Sequence, residues 1–402
     1  MQLGHLTHLH LFPILTAVAL SLPFVGLGAD LTNPPPTFVS VVNQSFRLWD
    51  SNGDGQLSPE EIDAAIVNPA FHDEAAAAIA AIKLVVRGGK YTLPPITQAY
   101  LVGSPLREKG AGNDLTNNVT ELLDSSNPPK PAGHPPAFQP RYRNLLTRLH
   151  KISRDLFPQT LPALDACHQG PLGDCYLISV IGGMVARDPA AVAGMFQQHK
   201  DGVTTVTFGN HHRVEVPPLT DAEIAISSSA GTNGLWLTIL ENAYGKDRGA
   251  ARFTADAETP DTDAIAHGGS CGFVINQLDG FKTKLYSLQL KPGLHHTAQF
   301  PTNLMVDLKL ALQSHLLAAA ATPTNALPPG INGKHAYAIL AYQTNTDIVH
   351  LWNPHGNNFK PKGPDGLKNG YTTKAGQFDI PLTDLLAIYR GVTIETATPN
   401  RP

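Results

Sequence analysis

Hydrophobic and polar positions change period along this chain, and the changes divide it into zones. From Phe38 to Leu48 the apolar residues Phe38, Val39, Val41, Val42, Phe46 and Leu48 fall at helical spacing, which predicts an amphipathic helix. A polar loop follows, then a second helix from Pro59 to about Ile66. The alanine-rich AFHDEAAAAIAAIKLVV (Ala70 to Val86) predicts a third. Between Gly103 and Pro140 periodicity is lost, and NPPKPAGHPPAFQP (Asn127 to Pro140) reads as a proline-rich linker. It is expected to separate a small helical module at 37–88 from a larger core at 141–398. Within that core, Arg141 to Phe157 and LWLTILENAYGK (Leu235 to Lys246) have helical spacing, and a helix is expected after Gly173. Short alternating runs, VTTVTF (Val203 to Phe208), RVEV (Arg213 to Val216), AYAILAY (Ala336 to Tyr342) and DIVHLWN (Asp347 to Asn353), read as strands. Helices early and antiparallel strands late predict an α+β fold. Its two lobes are a helical one at about 141–262 and a β lobe at about 263–398, with a cleft between them.

The N-terminal stretch changes the expected location. Leu11 to Leu27 is almost wholly apolar, and small Gly26 and Gly28 precede Ala29-Asp30, so residues 1–28 resemble a secretory signal. The run is short and broken by Pro13 and Pro23, so no stable membrane span is expected once it is removed. A secreted or cell-envelope location follows, with a cytoplasmic one as the alternative. A formal charge of −4 and a pI near 6.5 give no electrostatic footprint for nucleic acid. Three cysteines (Cys167, Cys175, Cys271) cannot all pair within one chain, which argues against a disulfide framework.

The polar loop between the first two helices carries candidate chemistry. It reads DSNGDGQLSPEE, Asp50 to Glu61. Oxygen-bearing side chains fall at its first, third and fifth positions (Asp50, Asn52, Asp54), and Gly55 at the sixth permits a sharp turn. Gln56 would offer its backbone carbonyl, Ser58 a ligand or a water contact, and Glu61 both carboxylate oxygens. This is the EF-hand pattern, and a cage of six to eight oxygens of this kind selects a hard cation, Ca2+. Ser58 can also cap the exit helix together with Glu61, with Pro59 at the first helical position. A plain polar turn would not require so many fixed positions. No second complete loop is visible, although such units usually occur in pairs.

The richest segment is LDACHQGPLGDCYLISVIGGM, Leu164 to Met184. A tight turn leads into an apolar helix with Cys175 in its first turn, where backbone donors and the helix dipole favour a thiolate. Gln169 could turn its amide to the same point and, with the Cys175 N–H, form an oxyanion hole. Taken alone, a cysteine entering an apolar helix is more often a packing residue. The surroundings argue otherwise. QGPLGDCY resembles the active-site motif of calpains, LWLTILENAYGK resembles a helix of that family, and GKHAYAILAY resembles the strand bearing its catalytic histidine, here His335. LWNPHG resembles the segment with its catalytic asparagine, here Asn353, and GQFDIPLTDLLAIY (Gly376 to Tyr389) resembles the segment closing its protease core. These matches keep the family's order over roughly Leu164 to Glu395. Two positions depart from the family: Tyr176 and His355 stand where it has tryptophan.

The resemblance implies a two-lobed, papain-like calpain-type cysteine protease core, here preceded by a small all-α EF-hand module. It implies protein or peptide substrates and an acyl-enzyme mechanism. Cys175 would be the nucleophile, His335 the general acid/base, Asn353 the residue orienting it and Gln169 the oxyanion donor. It also implies calcium sites within the core, for which Asp165 and Glu241 stand near the family's positions. The alternatives are a non-proteolytic calcium-binding module and another papain-fold acyl transferase. Other histidines (His211, His212, His295, His296, His350) have no matching cysteine or carboxylate constellation for zinc. Cys167 and Cys271 read as packing residues.

Overall fold

The computed structural model describes residues 36–88, 93–103, 137–158, 161–251, 260–288, 302–324 and 327–399. The signal-like segment and most of the linker lie outside these residues. Among the described residues no helix is long and apolar enough to cross a membrane.

Helices α1 (Phe38–Trp49), α2 (Pro59–Ile66), α3 (Asp73–Arg87) and α4 (Gln98–Val102) form the first layer. α1 turns Phe38, Val41, Val42, Phe46 and Trp49 inward, as its spacing requires. α2 starts on the expected device: the Ser58 hydroxyl accepts from the Glu61 N–H, and the Glu61 carboxylate accepts from the Ser58 N–H. Ala76 to Ala81 of α3 are fully buried, because methyl side chains let this helix be enclosed on several sides.

The next helix, α5 (Phe138–Lys151), begins three residues before the expected Arg141, inside the stretch read as linker. The cause is tertiary. Phe138 stacks on Phe38 with ring centroids 5.1 Å apart, and Gln139 Oε1 accepts from the Phe38 N–H at 2.7 Å. α3 packs on α5 and on α8 (Asp221–Ile226) in one shared apolar cluster. The described chain from Thr37 onward is therefore one compact unit, in which the first helices share a core with α5 and α8.

The helical lobe holds α6 (Cys175–Arg187), α7 (Pro189–Gly194) and α9 (Trp236–Ala251). It also carries a three-stranded antiparallel sheet, β1 (Phe196–Gln198), β2 (Thr204–Thr207) and β3 (Arg213–Val216). A short helix, α10 (Cys271–Val274), continues as a π turn through Asp279 and packs with this lobe. The second lobe is a six-stranded antiparallel sheet in the order β4-β9-β5-β6-β7-β8. Its strands are β4 (Phe281–Ser287), β5 (Ala318–Ala321), β6 (Ala336–Gln343), β7 (Ile348–Trp352), β8 (Gln377–Pro381) and β9 (Gly391–Pro399). Helices α11 (Thr302–Gln313) and α12 (Leu382–Ile388) contribute to its core.

α6 joins the lobes. It is apolar on every side, as a helix buried between two layers must be, and it lies against β6. Gly182 makes this close approach possible. A Cβ there would stand 2.2 Å from a ring carbon of Trp352, at the end of β7. At its far end Arg187 bonds Asp279 of the π turn and, at 3.0 Å, Glu395 of β9.

Candidate active site

Cys175 is the first residue of α6, preceded by Asp174 as the N-cap. Its side chain is half-buried. The backbone amides of Ala336 and Tyr176 lie where they favour its charged form. Ala336 opens β6 directly after His335, so the fold brings the start of a helix in one lobe to the start of a strand in the other. Burial nevertheless pushes the thiol up to about 12, with the two amides pulling the other way.

His335 is buried, and its backbone N–H donates to Thr322 Oγ1 at 3.0 Å. Its Nε2 lies 2.8 Å from Asn353 Oδ1. The roles in this bond follow from the other half of the amide. Asn353 Nδ2 donates to Asn332 Oδ1 at 2.9 Å and to Asn357 Oδ1 at 3.0 Å, which uses both its hydrogens. The Asn353 oxygen is thereby fixed as the acceptor, so His335 Nε2 carries the hydrogen and Nδ1 keeps a lone pair. A ring in this tautomer can take a proton at Nδ1. Burial lowers the imidazole to about 4, opposed by the bond to Asn353. With the thiol high and the imidazole low, both groups rest neutral near pH 7.

Asn353 follows β7 and is 1% exposed, so its hydrogen bonds are closed off from water. Asn332 and Asn357, which fix the amide, were not singled out in the sequence. Both sit in polar loops where asparagine is ordinary turn chemistry, and no spacing marks them.

Gln169 is buried in the turn before α6, and its backbone N–H donates to Pro354 O at 2.8 Å, tying the turn to the residue after Asn353. Its side-chain Nε2 donates to Leu172 O at 2.8 Å and to Asp174 Oδ1 at 3.1 Å. Both amide hydrogens are thus committed within the turn. Behind it, Glu241 of α9 accepts from the Ser228 N–H at 2.7 Å and from Ser228 Oγ at 2.8 Å. Ser228 Oγ in turn accepts from the Gly170 N–H at 3.0 Å. Asp174 and Glu241 face one another, both fully buried, and burial raises both carboxyls. Glu241 therefore belongs to the internal support of the turn and offers no solvent-facing oxygen to a core calcium ion. Asp165 lies in a short 3-10 turn just upstream.

The loop from Asp50 to Glu61 is the other candidate site. Gly55 adopts φ +81°, open to a side-chain-free turn, while Leu57 points inward. The Asp50 carboxylate accepts from the N–H groups of Gly53 and Gly55, each at 2.9 Å. Asn52 and Asp54 accept from the N–H two residues on, at 2.8 Å in each case. Gln56 bridges to Thr97, and the Leu57 N–H donates to Ile96 O at 3.0 Å. α3 and α4 thus stand where the second unit of a pair would, but Gly88 to Thr97 carries no acidic residue, which is why no second loop could be read. The donor set suits a hard cation in kind and in backbone shape. The carboxylates are not gathered into a cage: Glu61 is held by Ser51, Asn52 and Ser58. Among the described residues no three His, Cys, Asp or Glu side chains stand close enough to hold a metal ion.

Cys175 thus opens a helix that packs on β6, the strand that His335 precedes, and β6 pairs with β7, which runs into Asn353. Residues 145–367 match the family model described as calpain family cysteine protease, and this span includes Gln169, Cys175, His335 and Asn353. The calpain-type cysteine protease ADL1 of Oryza sativa subsp. japonica is 26% identical over 221 residues, covering 52% of this chain and 10% of that protein. The chain belongs to the calpain family of cysteine proteases. It spans about a tenth of the length of that relative. The loop from Asp50 to Glu61 lies outside the span that the family model matches.

Proposed function

We propose that this protein is a cysteine endopeptidase that hydrolyses peptide bonds through an acyl-enzyme. The observation that carries this reading is the fixed tautomer of His335, with Asn353 accepting at Nε2 and the Cys175 thiol at the neighbouring Ala336 amide. The thiol proton passes to His335 Nδ1 as sulfur attacks the peptide carbonyl. The imidazolium then returns a proton to the leaving amine, and water, deprotonated by the same imidazole, releases the acid. The Cys175 N–H at the helix start stabilises the oxyanion together with Gln169, whose amide must first leave Asp174.

We further propose that Asp50, Asn52, Asp54, the Gln56 carbonyl and Glu61 bind Ca2+, with Glu61 changing partners to do so. A bound ion would neutralise the loop's carboxylates and fix the angle between α1 and α2. The helical module would be an EF-hand unit packed on the protease core through α3, α5 and α8.

Casein cleavage by the wild type and Cys175→Ala, each with calcium and with chelator, tests both parts. Cleavage by the wild type alone is expected, and equal cleavage by both proteins would refute the assignment of Cys175. Transfer of acyl groups to amines without new protein N-termini would point instead to an acyl transferase. A calcium titration followed by thermal melting tests the loop separately: the melting temperature should rise in the wild type and stay fixed in Glu61→Gln.

A further inference from the structure

The stretch from Leu327 to Gly376 carries five lysines, Lys334, Lys360, Lys362, Lys368 and Lys374, against two acids, Asp347 and Asp365, in a chain whose formal charge is −4. All five lysines are exposed. Among the described residues none of them forms an ion pair. The two acids are engaged elsewhere. The Asp365 carboxylate accepts from the Thr372 N–H at 2.8 Å and from its hydroxyl at 3.0 Å. Asp347 accepts from the Tyr342 hydroxyl at 2.6 Å, at the opposite end of the β6–β7 hairpin from His335 and Asn353.

These lysines stand around the candidate active site. Both ends of the loop 357–376 are bonded to Asn353: its N–H donates to Gly376 O at 2.8 Å, and its Nδ2 to Asn357 Oδ1 at 3.0 Å. The loop leaves from the edge where the lobes meet, since Gly356 packs against His168, next to Gln169. Lys334 adjoins His335, Lys374 is two residues from Gly376 and Lys360 three from Asn357. At no more than about 3.6 Å of chain per residue, the Cα atoms of Lys360 and Lys374 lie within about 11 Å of groups that hold Asn353. The loop is also firmly seated. Phe359 and Thr373 exchange backbone hydrogen bonds of 3.0 and 2.9 Å. A Cβ on Gly330 would stand 2.6 Å from the Phe359 ring, so that ring lies directly on the segment leading to Asn332 and His335.

We propose that Lys334 and the loop 357–376 form a basic rim on the cleft, which selects peptide substrates carrying aspartate or glutamate beside the scissile bond. This rests on the reading of the site as a peptidase. Unpaired ammonium groups on long stems draw in an acidic segment and hold it at the rim, where water keeps each contact weak and salt-sensitive. Such charges act on capture of the substrate, not on the reacting bond, so they set KM and leave kcat alone. A protein segment fits better than a lipid surface, because the stretch exposes only one large apolar side chain, Leu367, and so has little to bury among acyl chains.

The test compares three fluorogenic peptides identical except for flanking residues of Glu, Gln or Lys, cut by the wild type, by the triple variant K360Q/K362Q/K374Q and by the reversal K360E/K374E. The wild type should cut the Glu peptide with kcat/KM roughly tenfold above the Gln peptide at low salt, the gap closing by about 0.5 M salt. The triple variant should lose most of that preference while cutting the Gln peptide as the wild type does, and the reversal should favour the Lys peptide. Equal kcat/KM for all three peptides in the wild type would overturn the proposal, as would a triple variant that slows acidic and neutral peptides alike. Lysine-dependent sedimentation with phosphatidylserine vesicles, without any peptide preference, would overturn it in favour of a membrane surface. Failure of the peptidase reading looks different: no peptide is cut whatever its charge, and both then fall.

Discussion

The asparagine at position 353 uses every hydrogen-bonding group on its side chain, and that completeness gives the histidine its tautomer. Three of its partners come from two stretches, Asn332 and His335 before β6 and Asn357 after β7, so the amide cannot rotate without breaking several buried bonds at once. Asn353→Ala should therefore lower kcat about 10²-fold or more with little change in KM, since the base loses its fixed orientation in the transition state. Asn332→Ala, which removes one of the two anchors, should give a smaller loss in kcat. Steady-state kinetics on a peptide substrate would show the order, and an Asn332 variant as impaired as the Asn353 variant would contradict it. At this scale the sequence was legible where motifs mark the residues: His335 and Asn353 meet at 2.8 Å, and Cys175 opens α6. It was not legible for Asn332, Asn357, Asp174 or Ser228. These support the site through contacts that depend on loop geometry, which leaves no periodic trace.

Among the elements, α6 decides the geometry, because one helix carries the thiol at its start and packs on the strands beside Asn353. Gly182 is the point of closest approach. Gly182→Ala would force a methyl into the Trp352 ring, and overpacking of this kind costs about 1–3 kcal/mol. The expected result is a lower melting temperature together with reduced activity, since Trp352 adjoins Asn353. A variant with wild-type melting and kinetics would show that the ring can move freely. Strands with clean alternation, β2, β3, β6 and β7, were readable within a residue or two. By contrast, β5 is four alanines and β4 runs through mixed polar residues, and neither has a pattern of its own. Each is a strand because its neighbours are, which is a tertiary cause. The early start of α5 has the same origin, with Phe138 drawn into helix by its contact with Phe38.

Across the whole molecule, the clamp of Arg187, Asp279 and Glu395 fastens the far end of α6 to both lobes. Burial raises Glu395 to about 7, while Arg187 and the Leu317 N–H oppose the shift. The folded protein thus binds this proton more tightly than the unfolded chain, whose glutamate titrates near ~4.3. The resulting stability is full below that value and is lost as pH rises toward 7. Denaturant unfolding from pH 4.5 to 7.5 should show this fall in the wild type and a flatter dependence in Glu395→Gln. Equal slopes would remove Glu395 from the account. Whether the apolar faces of two segments meet is not recorded in composition, so the packing of α3 on α5 and α8 left no trace in the sequence.

Labelling by a cysteine-directed epoxide inhibitor, mapped by mass spectrometry in the wild type and His335→Ala, tests the pairing of sulfur and imidazole most directly. The wild type should carry the label on Cys175 and on neither Cys167 nor Cys271, and the histidine variant should lose nearly all of it. Equal labelling of Cys175 in both proteins would contradict the account.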